Sequence, residues 1–167
     1  RTPEVLVSRA GQPSGSQPSA SQPRAHLQPV RLAELGSLRL ILPSAINTRR
    51  RTLETYCASN SIEIARVLEL DAMLGTLDLI ARSDWVAILP GIMMAIDDGT
   101  GELAVNPIVA PELWLDLVMI EPSRRSMSKA ACAFLARMEL ESQRLNARWE
   151  PAAPPRRRPG RMEPSQT

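Results

Sequence analysis

Residues 64–90, IARVLELDAMLGTLDLIARSDWVAILP, predict a strand, a helix and a second strand in that order. Residues 64–70 are partly alternating and contain β-branched side chains, which is typical of a strand. Asp71 stands where the N-cap of a helix belongs, ahead of apolar residues at helical spacing, Met73, Leu77, Ile80 and Ala81. Residues 85–89 are a continuous apolar run ended by a proline, as expected for a strand that is covered on both faces.

The same alternation continues on both sides of this stretch. Towards the N-terminus, residues 38–43 form a short apolar strand candidate, and Thr48 can cap a helix with apolar positions at Leu53, Tyr56 and Cys57. Towards the C-terminus we expect a short helix at 93–96, strands at 103–108 and 113–120, and a last helix from Ser126. That helix carries one apolar stripe, Ala131, Phe134, Leu135 and Met138. The pattern predicts an α/β fold, with a mostly parallel sheet and helices on both faces.

Both flanks differ in composition from this central region. Residues 12–28 form a low-complexity Ser/Gln/Pro loop, and residues 142–167 form a Pro/Arg-rich tail that includes Arg156, Arg157 and Arg158. Neither offers enough apolar surface to offset its ordering entropy, so we expect disorder in both. The chain has a net charge of +2, but residues 38–141 contain 10 basic and 14 acidic residues, a net charge of −4. A segment with that balance lacks the basic face that nucleic-acid binding needs.

Several classes of function find no support in the residues. His26, the one histidine, lies in the low-complexity loop, so the sequence offers no metal-ligand cluster and no Ser/His/Asp or Cys/His set. There is also no Gly-rich phosphate loop, and we expect no enzyme activity and no cofactor. Cys57 and Cys132 are far apart among apolar neighbours, which favours buried free thiols in a reducing compartment. With no signal peptide, and an apolar stretch at 85–96 too short to span a bilayer, we expect a cytoplasmic protein without membrane contact.

Six segments in order carry a resemblance to a known family. They are VLVSRAG at 5–11, PVRLAEL at 29–35, LILPS at 40–44, LELD at 68–71, AILP at 87–90 and SMSKAACAFLARMEL at 126–140. From residue 4 to residue 141 the chain resembles the effector-binding domain of LysR-type transcriptional regulators. Two features depart from the family: Ser83, Asp84 and Trp85 replace a glycine pair before the AILP strand, and the low-complexity run enlarges a short linker. An insertion in a surface loop costs little closure entropy, so we expect the fold to survive it.

The resemblance implies an architecture like that of type 2 periplasmic binding proteins. Residues 1–11 would be a strand that crosses between two subdomains. Residues 29–141 would be a partial effector-binding domain: the second subdomain, a return strand and a terminal helix. The family's helix-turn-helix and first subdomain are not in this sequence, so we expect a partial regulator that does not bind DNA specifically. The alternatives are a module like a solute-binding protein, or a truncated regulator without function.

The resemblance also implies a small, often carboxylate, effector in the cleft between subdomains. Ser44, Asp71 and Ala72 stand where strands end and helices begin, the usual ligand edge of an open α/β sheet. Asp71 can instead be a plain N-cap, and its charge would repel a carboxylate. Arg49, Arg50 and Arg51 lie in a first helical turn, where cations oppose the helix dipole. We expect these three arginines to contact an anion, to lie at a subunit interface or to be exposed to solvent.

Other prominent residues have a simpler interpretation. Trp85, Trp114, Met93, Met94 and Cys132 are spaced like core residues, and we expect them to be packed in the interior. A ligand-stacking role is the alternative for the tryptophans and methionines. The expected partners are the small-molecule effector and either the missing regulator half or a second copy of the chain. Without such a partner, the terminal helix and the strand at 113–120 would expose apolar side chains.

Overall fold

A computed structural model of the chain describes residues 1–11, 26–95, 101–120 and 126–149. The strands are β1 (Thr2–Arg9), β2 (Leu38–Leu42), β3 (Ile64–Glu69), β4 (Val86–Pro90), β5 (Leu103–Pro107) and β6 (Trp114–Leu115). The α-helices are α1 (Thr48–Ser59), α2 (Met73–Ala81), α3 (Gly91–Met94) and α4 (Lys129–Asn146). Leu32–Glu34 and Ala147–Trp149 are single 3-10 turns.

The strands form one sheet in the order β3-β2-β4-β1-β5, and β6 pairs with the start of β1. β2 is parallel to β3 and β4, whereas β1 is antiparallel to β4, β5 and β6. Every strand except β1 therefore runs in the same direction. The α/β class is confirmed, and the sheet is mixed, because β1 pairs antiparallel with three strands while β2 pairs parallel with two. The carboxyl ends of β2, β3, β4 and β5 lie at one edge.

The core lies on both faces of this sheet. Alternate residues of β1 point to opposite faces: Leu6 joins one cluster, which includes Leu53 and Cys57 of α1. Val5 and Val7 join the other, which includes Ile80 of α2 and Met94 of α3. Because both faces are covered, the central strands have no polar face, which explains their continuous apolar runs.

Helix and strand limits differ from the predictions at several ends. Asn47, not Thr48, is the N-cap of α1, because its side chain accepts a hydrogen bond from the amide of Arg49 at 3.0 Å. The strand predicted at 113–120 is only two residues long, since residues beyond Leu115 are exposed and have no pairing strand. The last helix begins at Lys129 rather than Ser126, and Ser128 caps it through a 3.2 Å bond from the amide of Ala131.

Helical structure continues past residue 141, where the sequence predicts that the disordered tail begins. α4 continues to Asn146, and Trp149 is only 4% exposed in the cluster that contains Val5 and Val7. The Asn146 side chain donates to the carbonyl of Arg1 and accepts from the Thr2 hydroxyl, both at 2.9 Å. The hydrogen bonds of Asn146 and the buried ring of Trp149 thus attach this segment to β1. Arg156, Arg157 and Arg158 lie outside the described residues.

The low-complexity loop is also shorter than predicted at its C-terminal end. The amide of Leu27 donates to the carbonyl of Val105 at 2.9 Å, and the Gln28 carbonyl accepts from Asn106 at 2.8 Å. Residues 26–28 therefore lie along β5, where they satisfy backbone groups of its outer edge. The rest of the loop lies outside the described residues.

Ser83, Asp84 and Trp85, which replace the glycine pair, form a turn that is tied to β2. The Arg39 guanidinium binds the Asp84 carboxylate at 2.6 Å and lies over the Trp85 ring at 4.8 Å. This contact lowers the pKa of Asp84, because the cation stabilises the charged carboxylate. A charged pair and an aromatic contact thus hold this turn against β2.

Burial was predicted correctly for some apolar residues and wrongly for others. Cys57 and Met94 are buried, and Trp85 is half-buried. Cys132, Met93 and Trp114 are exposed, which contradicts the prediction that they are core residues. Cys132 lies on α4, whose apolar stripe has no element of the described residues packed over it; Phe134 is 65% exposed.

Candidate functional site

The carboxyl ends of β2 and β3 bring two of the predicted site residues together. The amide of Leu70 donates to the carbonyl of Leu42 at 3.0 Å, which extends the parallel pairing beyond the strands. Immediately beyond it, the amide of Ser44 donates to Oδ1 of Asp71 at 2.9 Å. The Asp71 side chain therefore links the end of β3 to the end of β2.

Asp71 is not the N-cap of α2. The N-cap is Ala72, which has extended backbone angles and no side-chain capping bond. The first-turn amides of α2 consequently have no side-chain acceptor at the cap position. The Asp71 carboxylate instead accepts a hydrogen bond from Ser44, because its position at the strand end places it closer to β2.

The Ser44 contact sets the protonation behaviour of Asp71. The backbone hydrogen bond from Ser44, followed by one from its side chain, lowers the pKa of Asp71 below its ordinary value of 3.8. Both bonds favour the charged carboxylate, so Asp71 is anionic at neutral pH.

We expect an acid titration followed by NMR to show the Asp71 carboxyl ionising below 3.8, and Ser44→Ala to move its pKa upwards. The stabilisation from this bond is present above 3.8 and is lost as the pH falls through the lower, folded-state pKa. Glu63→Gln, an exposed change without this contact, is the control. An unchanged Asp71 pKa in the Ser44 variant would contradict the assignment of a side-chain contribution.

The first arginine of the run at 49–51 is held inside the protein. Arg49 donates to both carboxylate oxygens of Glu4, at 2.9 and 2.6 Å, and to the carbonyl of Ile88 at 2.6 Å. Glu4 is only 3% exposed. The two-pronged geometry is the strong form of an Arg–carboxylate contact. It connects β1, α1 and β4 at the edge where the site lies.

The second arginine is also paired within the chain. Arg50 donates to Glu54 and Glu69, each at 2.8 Å, and to the carbonyl of Pro43 at 3.1 Å. Acidic residues of the same chain thus offset the cost of cations in the first turn of α1. The alternative of a solvated run is wrong for Arg49 and Arg50, whereas Arg51 is exposed. Each of these two guanidinium groups therefore already has a carboxylate partner within the chain.

The described residues form a smaller and a larger hollow at this edge of the sheet. The smaller, about 240 Å³, is bordered by the ends of β2, β3 and β4; its lining includes Asn47, Arg49, Asp71, Met73, Thr76 and Met93. The larger, about 630 Å³, lies on the β5 side between residues 107–109, the start of β1 and the 146–149 segment. Trp114 and Trp149 line it, together with the ends of Arg1 and Arg148.

The smaller hollow is the better candidate, although the larger one has more volume. Strand ends and the starts of α1 and α2 converge at the smaller hollow, the arrangement that binds ligands in open α/β sheets. Of the predicted residues it contains Arg49 and Asp71, while Ser44 is bonded to Asp71 and Ala72 follows it. The larger hollow is mostly apolar and borders the pairing of β1 with β6.

The sequence missed several residues that shape this edge. Glu4, Asn47, Met73, Thr76 and Met93 were not predicted as site residues. Glu4 carried one signal, an acidic residue within an otherwise apolar strand, but its partner lies 45 residues away. Asn47 carried another, since asparagine is a preferred N-cap.

Among the described residues, no group of three or more His, Cys, Asp or Glu side chains could hold a metal ion. Helices of the described ranges are all too short or too polar to cross a membrane.

Comparison with known proteins assigns the family. The model of the LysR substrate binding domain matches residues 19–141, most of the chain. The chain belongs to this family. Comparison with curated proteins finds no match.

One of the similar solved structures, the first given below, has the same fold. The regulatory domain of CcmR from Synechocystis PCC6803, in complex with 2-PG, is 15% identical, with 85% of this chain and 64% of that chain covered and a TM-score of 0.55. The effector-binding domain of a BenM variant is 16% identical, with 66% and 47% covered and a TM-score of 0.49. The reduced OxyR regulatory domain from Pseudomonas aeruginosa is 19% identical, with 66% and 47% covered and a TM-score of 0.43. The chain thus spans less than two thirds of each.

Proposed function

We propose that this chain is a ligand-sensing part of a LysR-type transcriptional regulator and that it binds a small molecule at the carboxyl edge of its sheet. The observation that carries the proposal is the Ser44–Asp71 bond beside the hollow where α1 and α2 begin. The CcmR regulatory domain, which has the same fold, was solved in complex with a small molecule, 2-PG. The proposed role is recognition rather than catalysis.

Ala72 contributes through its backbone. It is exposed, its side chain makes no capping bond, and the α2 amides that follow it face no side-chain acceptor at the cap. Such amides donate hydrogen bonds to ligands at helix N-termini. Ser44, Asp71 and Ala72 together would present a hydroxyl, a carboxylate and backbone donors to the effector. A carboxylate effector, as the family resemblance implies, would need donors other than the Ser44 amide, which Asp71 already occupies.

The test is a screen of small polar metabolites against the full, ¹⁵N-labelled chain by NMR. We expect ligands that shift the amides of Ser44, Asp71 and Met73. The affinity should be weak, with dissociation constants on the order of 1 mM, because one wall of a cleft supplies few contacts. Met93→Trp, which fills the hollow from an exposed position, should abolish these shifts. Val118→Trp, at an exposed position outside the hollow, is the control. Ligands that bind only elsewhere would overturn the proposal.

We also propose that the isolated chain associates with a second copy through the exposed face of α4. Phe134 and Met138 are 65% and 45% exposed, and residues 117–120 add further exposed apolar side chains. Apolar patches of this kind are covered in stable proteins or drive association. This partner stays a proposal, as does the alternative of another part of the regulator.

Sedimentation velocity should therefore show mass increasing with concentration. Phe134→Ser combined with Met138→Ser should shift the chain towards monomer by at least about tenfold in dissociation constant, because burying such side chains is worth roughly 1.5–3 kcal/mol each. Leu74→Ser, an exposed apolar residue on α2, serves as the matched control. Wild-type chain that remains monomeric at all concentrations would contradict this prediction.

A further inference from the structure

The charged side chains around the candidate site differ in whether a side chain of opposite charge lies beside them. Among the described residues that line the smaller hollow, only Arg49 and Asp71 carry a charge. The Arg49 guanidinium donates through Nε and Nη2 to the two oxygens of the Glu4 carboxylate, and Nη2 also donates to the Ile88 carbonyl. Its charge is thus neutralised before any ligand arrives.

The neighbouring arginine does not change this balance. Arg50 forms ion pairs with Glu54 and Glu69, and it also donates a hydrogen bond to a backbone carbonyl oxygen. Arg51 is exposed and is not one of the residues that line the hollow. The first turn of α1 therefore has three arginines in sequence but offers the hollow no unpaired cation.

Asp71, by contrast, has no cation as its partner among the described residues. It accepts a neutral amide hydrogen bond from Ser44, and its side chain is exposed at the strand end. It also stands two residues before the start of α2, so it is already the anion closest to that helix N-terminus. An incoming carboxylate would meet this charge and would find the Ser44 amide occupied.

We infer that this edge selects a ligand that presents a cationic group or a neutral hydrogen-bond donor to Asp71, and that it discriminates against carboxylates. The inference rests on the proposed function and specifies the ligand class for the same site. Two like charges about 5 Å apart at an effective dielectric constant of about 50 change a dissociation constant about tenfold. Asp71 thereby acts as a specificity residue rather than a cap.

Three probes with a common ring and different head groups test this directly: benzylamine, benzamide and benzoate. Each is titrated into the full ¹⁵N-labelled chain at neutral pH, and shifts are read at the amides of Ser44, Asp71 and Met73. Benzylamine and benzamide should bind at least about tenfold more tightly than benzoate. Asp71→Asn keeps a carbonyl acceptor for Ser44 but removes the charge. It should bring benzoate to the affinity of benzamide and weaken benzylamine about tenfold.

Asp78→Asn is the matched control. It removes the same charge from an exposed position on α2, paired with Arg82 and outside the hollow, and should leave the order of the probes unchanged. If benzoate binds the wild-type chain as tightly as benzylamine and Asp71→Asn alters neither, the inference is overturned while the proposed site stands. If no probe moves these amides in either chain, the inference is overturned, and the metabolite screen decides the proposed site separately.

Discussion

Trp149→Ala is expected to lower the free energy of unfolding by about 3–5 kcal/mol, the usual cost of truncating a buried tryptophan. Gly91→Ala should displace the segment that contains Trp149 by a steric clash. A Cβ built on Gly91 would lie 2.8 Å from Nε1 of Trp149 and 3.0 Å from the carbonyl oxygen of Pro3. Neither neighbour can withdraw easily, since one is backbone and the other is a ring in a packed cluster. We expect Gly91→Ala to cost about 1–3 kcal/mol by overpacking.

Urea unfolding of the two single variants and the double variant measures this coupling. In the Trp149→Ala background, Gly91→Ala should cost far less, because the ring that it clashes with has gone. Gly75→Ala is the control: its new Cβ would meet only ordinary contacts at 3.7 and 3.8 Å. That change, inside α2, should stabilise the chain by up to about 1 kcal/mol. Additive effects of Gly91→Ala and Trp149→Ala would contradict the close approach.

Removing the carboxylate of Glu4 should also have a large effect. Glu4→Ala would leave the Arg49 guanidinium, whose side chain is 18% exposed, without its buried counter-ion. Breaking one partner of a buried pair costs about 3–5 kcal/mol, and the partial exposure of Arg49 favours the lower end of that range. Because the pair connects β1 to α1 and β4, the loss should loosen the edge that carries the candidate site.

Chemical denaturation and amide exchange of the full chain test this prediction. Asp78→Ala breaks the exposed Asp78–Arg82 pair and is the matched control; exposed pairs of that type contribute up to about 1 kcal/mol. Glu4→Ala should also speed amide exchange in β1, which Asp78→Ala should not. The outcome that would refute the assignment is equal destabilisation by the two variants.

Local sequence patterns were sufficient for the elements at the centre of the chain. Apolar spacing located β2, α1, β3, α2 and β4, since each pattern reports which side of a single element faces the interior. The continuous apolar run of β4 correctly indicated a strand covered on both faces. Prediction was weaker at helix ends, where one capping bond decides the boundary: Asn47 rather than Thr48, and Ala72 rather than Asp71.

Part of the candidate site followed from the same reasoning. Parallel strands place their carboxyl ends at one edge, so Ser44 and Asp71 could be expected near each other from the sequence alone. Their hydrogen bond depends on distances that no pattern contains. The same is true of the charge on the site, because Arg49 is neutralised by a residue 45 positions away.

By itself, the sequence determined the α/β class and the order of the central elements, and it predicted the edge that we propose as the ligand site. Only the tertiary structure decided that Glu4 neutralises Arg49, that Asp71 binds Ser44 and that Trp149 is buried against Gly91. The physical reason is that periodicity encodes burial within one element. Partners across the sheet depend on the strand order β3-β2-β4-β1-β5, in which β1, first in the chain, lies between β4 and β5. Because β1 lies at this position, Glu4 is beside α1 and the C-terminal segment can pack against β1.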